Sequence, residues 1–80
     1  MSIIYRNRDY MFTLFELEGQ AYLTVVAGGV AQYEITITVP REDLDVFQKD
    51  ENKLIALAKD VATRTAAYED RLVRPSIDPV

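Results

Sequence analysis

Between residues 33 and 39 apolar and polar side chains alternate without a break. Tyr33, Ile35, Ile37 and Val39 fall on one side, and Glu34, Thr36 and Thr38 on the other. A period of two marks a strand with one buried face. Pro40 ends it, because proline cannot donate to a sheet ladder. Residues 31–39 are therefore read as a strand. Residues 21–27 (AYLTVVA), rich in β-branched and aromatic types, predict a second, and residues 10–17 (YMFTLFEL) a third. Residues 3–6 predict a fourth, joined through the polar turn Asn7, Arg8 and Asp9.

Two turns set the register. Gly28 and Gly29 mark the bend between the two central strands, and a three-residue loop there puts Leu23 opposite Ile35 and Val25 opposite Tyr33. Glu18, Gly19 and Gln20 read as another three-residue loop, pairing Phe15 with Leu23 and Leu17 with Ala21. The inner face is then Met11, Thr13, Phe15, Leu17, Leu23, Val25, Tyr33, Ile35 and Ile37. The outer face carries Tyr10, Phe12, Leu14, Tyr22 and Val26. A slip of one residue turns Phe12 and Leu14 inward and Phe15 and Leu17 outward. Large apolar groups remain on the second face in either register.

After Pro40 the period changes. Residues 41–48 (REDLDVFQ) predict a short helix, with Pro40 at its first position and Glu42 and Asp43 at its positive end. Asp50 is a candidate N-cap for a long helix over residues 51–72. On a helical wheel Leu54, Leu57, Ala58, Val61, Ala62, Thr65, Tyr68 and Leu72 fall within about 140°, a stripe wide enough for core packing. Alanines in its middle let the helix lie close to a sheet. Arg74 before Pro75 ends the pattern. The expected fold is α+β, an antiparallel four-stranded meander followed by a short and a long helix on one sheet face. Residues 1–74 form one domain and 75–80 a flexible tail. One helix covers one face, so the apolar group Tyr10, Phe12, Leu14, Tyr22 and Val26 is left over, the mark of a contact site.

Composition narrows the chemistry. The 80 residues are 49% hydrophobic, include no cysteine, histidine or tryptophan, and carry a formal charge of −4. A chain of this size buries only about 60% of its unfolded surface, so the core must be efficient or a second copy must help. Thiol and imidazole metal sites and Ser–His or Cys–His nucleophile pairs are excluded. No run of apolar residues approaches a membrane span, the first eight residues lack a secretory pattern, and a cytoplasmic, bacterial protein is expected. The first 40 residues carry two basic and four acidic side chains, the last 40 seven and nine, so there is no basic lobe.

The remaining candidates are weak. Glu16 and Glu34 could lie on one face beside Tyr22 as an acid–base pair, although solvated strand carboxylates are the simpler reading. Asp43, Asp45, Asp50 and Glu51 lack the calcium-loop spacing, so no metal or cofactor is assigned. The leading expectation is a non-catalytic protein-interaction module, with an inhibitor, immunity, antitoxin-like or adaptor role. It would be a homodimer through the apolar second face, since most soluble oligomers are symmetric. A single-stranded nucleic-acid binder using sheet aromatics with Arg6 and Arg8 ranks below it. So does a small-molecule binder or enzyme using Glu16 and Glu34.

Overall fold

The structure, a computed structural model, describes residues 1–28 and 30–77. Four strands, β1 (Ser2–Asn7), β2 (Phe12–Leu17), β3 (Gln20–Ala27) and β4 (Tyr33–Val39), form one antiparallel sheet in sequence order. Helices α1 (Arg41–Lys49) and α2 (Glu51–Thr63) follow, and a 3-10 segment (Thr65–Arg71) ends the helical part. This is the α+β meander that the hydrophobic pattern predicts.

The β2–β3 turn is one residue tighter than expected. Leu17 pairs with Gln20, leaving only Glu18 and Gly19 in the loop, at φ 51° and 81°. Two successive residues at positive φ give a hairpin turn whose twist matches that of the flanking strands. This turn sets Leu14 opposite Leu23 and Phe12 opposite Val25. A one-residue change exchanges the faces of β2. Phe12 and Leu14 therefore enter the core, while Phe15 lies on the second face.

The β3–β4 loop is wider than expected. Ala27 pairs with Tyr33 and Val25 with Ile35, so the loop runs over residues 28–32. A shift of two residues preserves the faces, and Ile35, Ile37 and Val39 still point inward. Tyr33 moves to the end of the sheet, where it is 54% exposed rather than buried. Gly28, at φ 92°, starts the loop, and a Cβ there would lie 2.5 Å from the Ala31 carbonyl oxygen. Only glycine fits both requirements.

The core lies between the sheet and the helices. Phe12, Leu14, Leu23, Val25, Ile35 and Ile37 meet Leu44 of α1 and Leu54, Ala58 and Val61 of α2. Ala58 is 1% exposed and has no bulk beyond Cβ, so the helix approaches the sheet closely there. Pro40 stands one residue earlier than expected, at the N-cap of α1, and its carbonyl accepts from Asp43 and Leu44. Asp50 ends α1 and caps α2, its carboxylate accepting from the Asn52 amide at 3.1 Å.

The long helix expected over 51–72 is divided. α2 stops at Thr63, and Arg64 adopts φ −123°, ψ 55° before the 3-10 segment begins. The Thr63 and Thr65 hydroxyls donate to the Lys59 and Val61 carbonyls, each at 2.8 Å. Such back-bonding bends helices. The bend returns the chain to the sheet. The Arg71 guanidinium donates to the Thr38 carbonyl at 3.1 and 2.9 Å, Leu72 forms an antiparallel bridge with Ile37, and the Val73 amide donates to the Thr36 carbonyl at 2.9 Å. Residues 71–73 thus line the outer edge of β4. The peptide bond between Arg74 and Pro75 is cis.

Candidate functional site: the second sheet face and its loop end

The five residues expected to form one apolar surface are distributed over three environments. Phe12 and Leu14 are 2% and 0% exposed in the helix-side core. Tyr22 and Val26 lie half-buried on the second face, where Tyr22 pairs with Thr38 and Val26 with Glu34. Tyr10 belongs to the turn before β2, 44% exposed, with the Lys59 ammonium 4.7 Å from its ring centre. Phe15, assigned to the inner face by the expected register, stacks on Tyr22 instead, with ring centres 5.5 Å apart.

The second face is crossed by a row of threonines. Thr13 pairs with Thr24, and Thr24 with Thr36, one from each of β2, β3 and β4. All three are buried. The Arg6 guanidinium, on β1, donates to Thr13 Oγ1 at 3.4 Å. At the other end of the row, Ile77 closes a ring of hydrogen bonds. Its amide donates to Thr36 Oγ1 at 3.0 Å, Thr36 Oγ1 lies 2.7 Å from Thr24 Oγ1, and Thr24 Oγ1 donates to the Ile77 carbonyl at 2.9 Å. Thr36 Oγ1 also lies 3.3 Å from the Ile77 carbonyl, so the two hydroxyls and the two Ile77 backbone groups form one closed network. Such a closed chain polarises its members and strengthens each bond. Ser76 adds a bond from its hydroxyl to the Glu34 carbonyl at 2.8 Å.

Part of the expected tail therefore lies against the second face, and residues 78–80 fall outside the described ones. Thr24, Thr36, Ser76 and Ile77 are the residues that sequence reasoning missed. On β4 the polar alternation set Thr36 on the side away from the core, and Thr24 on β3 was assigned to neither face. Two β-branched hydroxyls at directly paired positions, and an isoleucine after Pro75, were the available signals.

Glu16 and Glu34 do not meet. Glu16 follows Phe12 and Leu14 on the helix side and, with Gln20, Val39 and Leu44, lines a cleft of about 190 Å³. Glu34 is on the opposite face, paired with Val26. An acid–base pair across Tyr22 is therefore not formed. The aromatic rings also divide. Tyr5 stacks on Phe12 on the helix side at 5.9 Å, whereas Tyr22 stacks on Phe15 on the other. The Tyr5 hydroxyl donates to Glu51, and this carboxylate raises the tyrosine above its ordinary range. Ile4, Tyr5, Leu14 and Phe47 line a cleft of about 380 Å³ between β1 and the α1–α2 junction.

Four of the seven large apolar residues left exposed among the described ones lie at one end of the sheet. The turn between β1 and β2 and the loop between β3 and β4 lie at the same end, by the order of the strands. Tyr10 and Met11 in the first connection, Val30 in the second and Tyr33 at the start of β4 are 44%, 41%, 108% and 54% exposed. Met11, Val26 and Tyr33, with Gln32 and Glu34, border a shallow depression of about 390 Å³. Met11 is held at φ 55°, and its carbonyl accepts from the Val26 amide at 2.9 Å.

Among the described residues no helix is long and apolar enough to cross a membrane. No protein-family model matches this chain, and neither a curated protein nor a solved structure does.

Proposed function

We propose that this chain is a small non-catalytic protein-interaction module that binds another protein through the loop end of its sheet. The observation that carries the reading is the placement of Tyr10, Met11, Val30 and Tyr33 at one end of the sheet, with Met11 and Tyr33 bordering one depression. These are four of the seven large apolar residues left exposed among the described ones. Aromatic and methionine side chains are enriched in protein–protein contacts, and an exposed apolar cluster marks such a site. Glu34 at the rim of the depression supplies a polar border. The role is one of inhibitor, immunity, antitoxin-like or adaptor type, because each acts by occupancy alone. A reducing compartment accords with a chain without cysteine.

Met11→Asp/Tyr33→Asp tests the reading. Both side chains are exposed, so the variant is expected to keep the wild-type circular dichroism spectrum. Wild type and variant are each immobilised and exposed to a lysate of the source cells. A protein retained by the first and lost from the second is the expected result. Identical retention by the two would defeat the proposal.

A further inference from the structure

We infer that the cleft between β1 and the α1–α2 junction is a binding site for a small zwitterion with an apolar side group, an α-amino acid by chemical class. The inference goes beyond the loop-end contact and shares no residue with it. It begins from the way the helices cover the sheet. Helix α2 packs chiefly on β3. The β1 margin of the same face is left partly uncovered, and Ile4 and Tyr5, packed against the edge of the core, are only half-buried. The cleft of about 380 Å³ opens there, a volume within the range of small-molecule sites.

Its walls and its rim differ in chemistry. Ile4, Leu14 and Phe47 supply apolar walls, and the cleft reaches the core at Leu14, which is wholly buried. Lys49, the last residue of α1, and Glu51, the first of α2, bring a cation and an anion to the same rim. Asp50 stands between them in the chain, and its carboxylate is engaged with the Asn52 amide as the cap of α2.

The two rim charges do not neutralise each other. The one ion pair among the described residues joins Arg64 and Asp60, and the Lys49 ammonium has no hydrogen-bond partner among them. Glu51 accepts from the Tyr5 hydroxyl through Oε1 alone. The Tyr5 ring is itself held by its stack on Phe12, so this bond keeps the carboxylate beside the cleft. Oε2 is left to accept from a ligand.

The ligand class follows from matching these groups. An ammonium suits Glu51 and a carboxylate suits Lys49, while an uncharged side group fills the space between Ile4, Leu14 and Phe47. An amine alone would leave Lys49 unmatched, and an acid alone would bring like charge to Glu51. Apolar burial supplies most of the affinity in such a site, and the few polar groups fix orientation and selectivity. An aromatic side group adds favourable contact with the Phe47 ring.

L-Phenylalanine is the probe, titrated in the millimolar range into the isotope-labelled full chain. Saturable shifts of the Ile4 and Leu14 methyl resonances are expected. Phenethylamine and hydrocinnamate carry the same ring with one charge each, and each is expected to bind about fivefold more weakly, the loss of one charge-assisted bond at a wet rim. Lys49→Gln and Glu51→Gln replace exposed side chains, so both should keep the wild-type circular dichroism spectrum. Each should weaken L-phenylalanine by about the same fivefold factor. Lys49→Gln should no longer separate the amino acid from the amine, nor Glu51→Gln the amino acid from the acid. The absence of saturable shifts would overturn the inference. So would an amine or an acid that binds wild type as tightly as L-phenylalanine, or a rim variant that binds as wild type does. All of these outcomes leave the loop-end reading untouched, since Met11 and Tyr33 lie outside the cleft and are unaltered throughout.

Discussion

Asp60 shows how three neighbouring side chains set one another's chemistry at the surface. Its carboxylate accepts from Arg64 at 2.8 and 3.0 Å and from the Tyr68 hydroxyl. The Arg64 hydrogen bonds first, and the Tyr68 bond second, hold its pKa down to about 2. Burial and then the Asp60 bond raise the Tyr68 hydroxyl. A carboxyl with a lowered folded pKa stabilises the fold above its unfolded value near 4, and that contribution fades as pH falls toward 2. Urea unfolding of wild type and Asp60→Asn should therefore differ most near neutral pH, and the difference should shrink on acidification across that interval. An equal difference at pH 6 and pH 2 would contradict the assignment. The spacing of Asp60 and Arg64 is legible in the sequence as an i,i+4 pair, whereas the Tyr68 contact exists only because the chain bends at Arg64. The glycines give a second contrast at this scale. Gly19 at φ 81° has open space around its Cβ position, whereas Gly28 at φ 92° faces the Ala31 carbonyl oxygen at 2.5 Å. An alanine at Gly19 should cost about 1–2 kcal/mol from backbone strain alone. At Gly28 it should cost more, because a backbone atom must also move; thermal unfolding of the two variants ranks them.

Strand β4 is bonded along both of its edges. Its inner side chains Ile35, Ile37 and Val39 complete the core, and its outer edge takes the bridge from Leu72. On its outer face, Thr36 is wholly buried yet makes bonds to Thr24 and Ile77. Thr36→Val keeps the shape and removes the hydroxyl. It leaves the Ile77 amide without its acceptor, and should cost about 1–3 kcal/mol, read as a lower urea midpoint. A midpoint equal to that of wild type would mean that the ring does not contribute to stability. The alternation in residues 33–39 revealed the strand and its inner face, because a period of two is a local property. It also led Thr36 to be read as solvated, because alternation reports two faces and does not say what covers the second one. The stripe over 51–72 likewise identified the buried side of α2 correctly at Leu54, Ala58 and Val61. It did not reveal the end of the helix at Thr63, since the residues that follow are good helix formers. Tertiary bonds at Arg71, Leu72 and Val73 override that preference.

At the scale of the whole molecule, the two faces of the sheet are closed by different means. Helices α1 and α2 close one by apolar packing, and residues 76 and 77 cross part of the other, the Ser76 hydroxyl bonded to the Glu34 carbonyl and the Ile77 backbone to Thr24 and Thr36. The apolar surplus expected on the second face is thereby redistributed. Phe12 and Leu14 enter the core, Tyr22 stacks on Phe15, and Tyr10 lies exposed at the loop end, where Met11, Val30 and Tyr33 are exposed as well. The sequence by itself determined the strand order, the helix-covered core of Leu23, Val25, Ile35 and Ile37, and the cap at Asp50, because each follows from periodicity or from one residue's backbone chemistry. Only the tertiary structure decided the β2–β3 register, the exposure of Tyr33, the bend at Arg64 and the docking of Ile77. The first follows from a turn one residue tighter than expected, enough to exchange the faces of a strand, and the others depend on contacts between residues far apart in the chain.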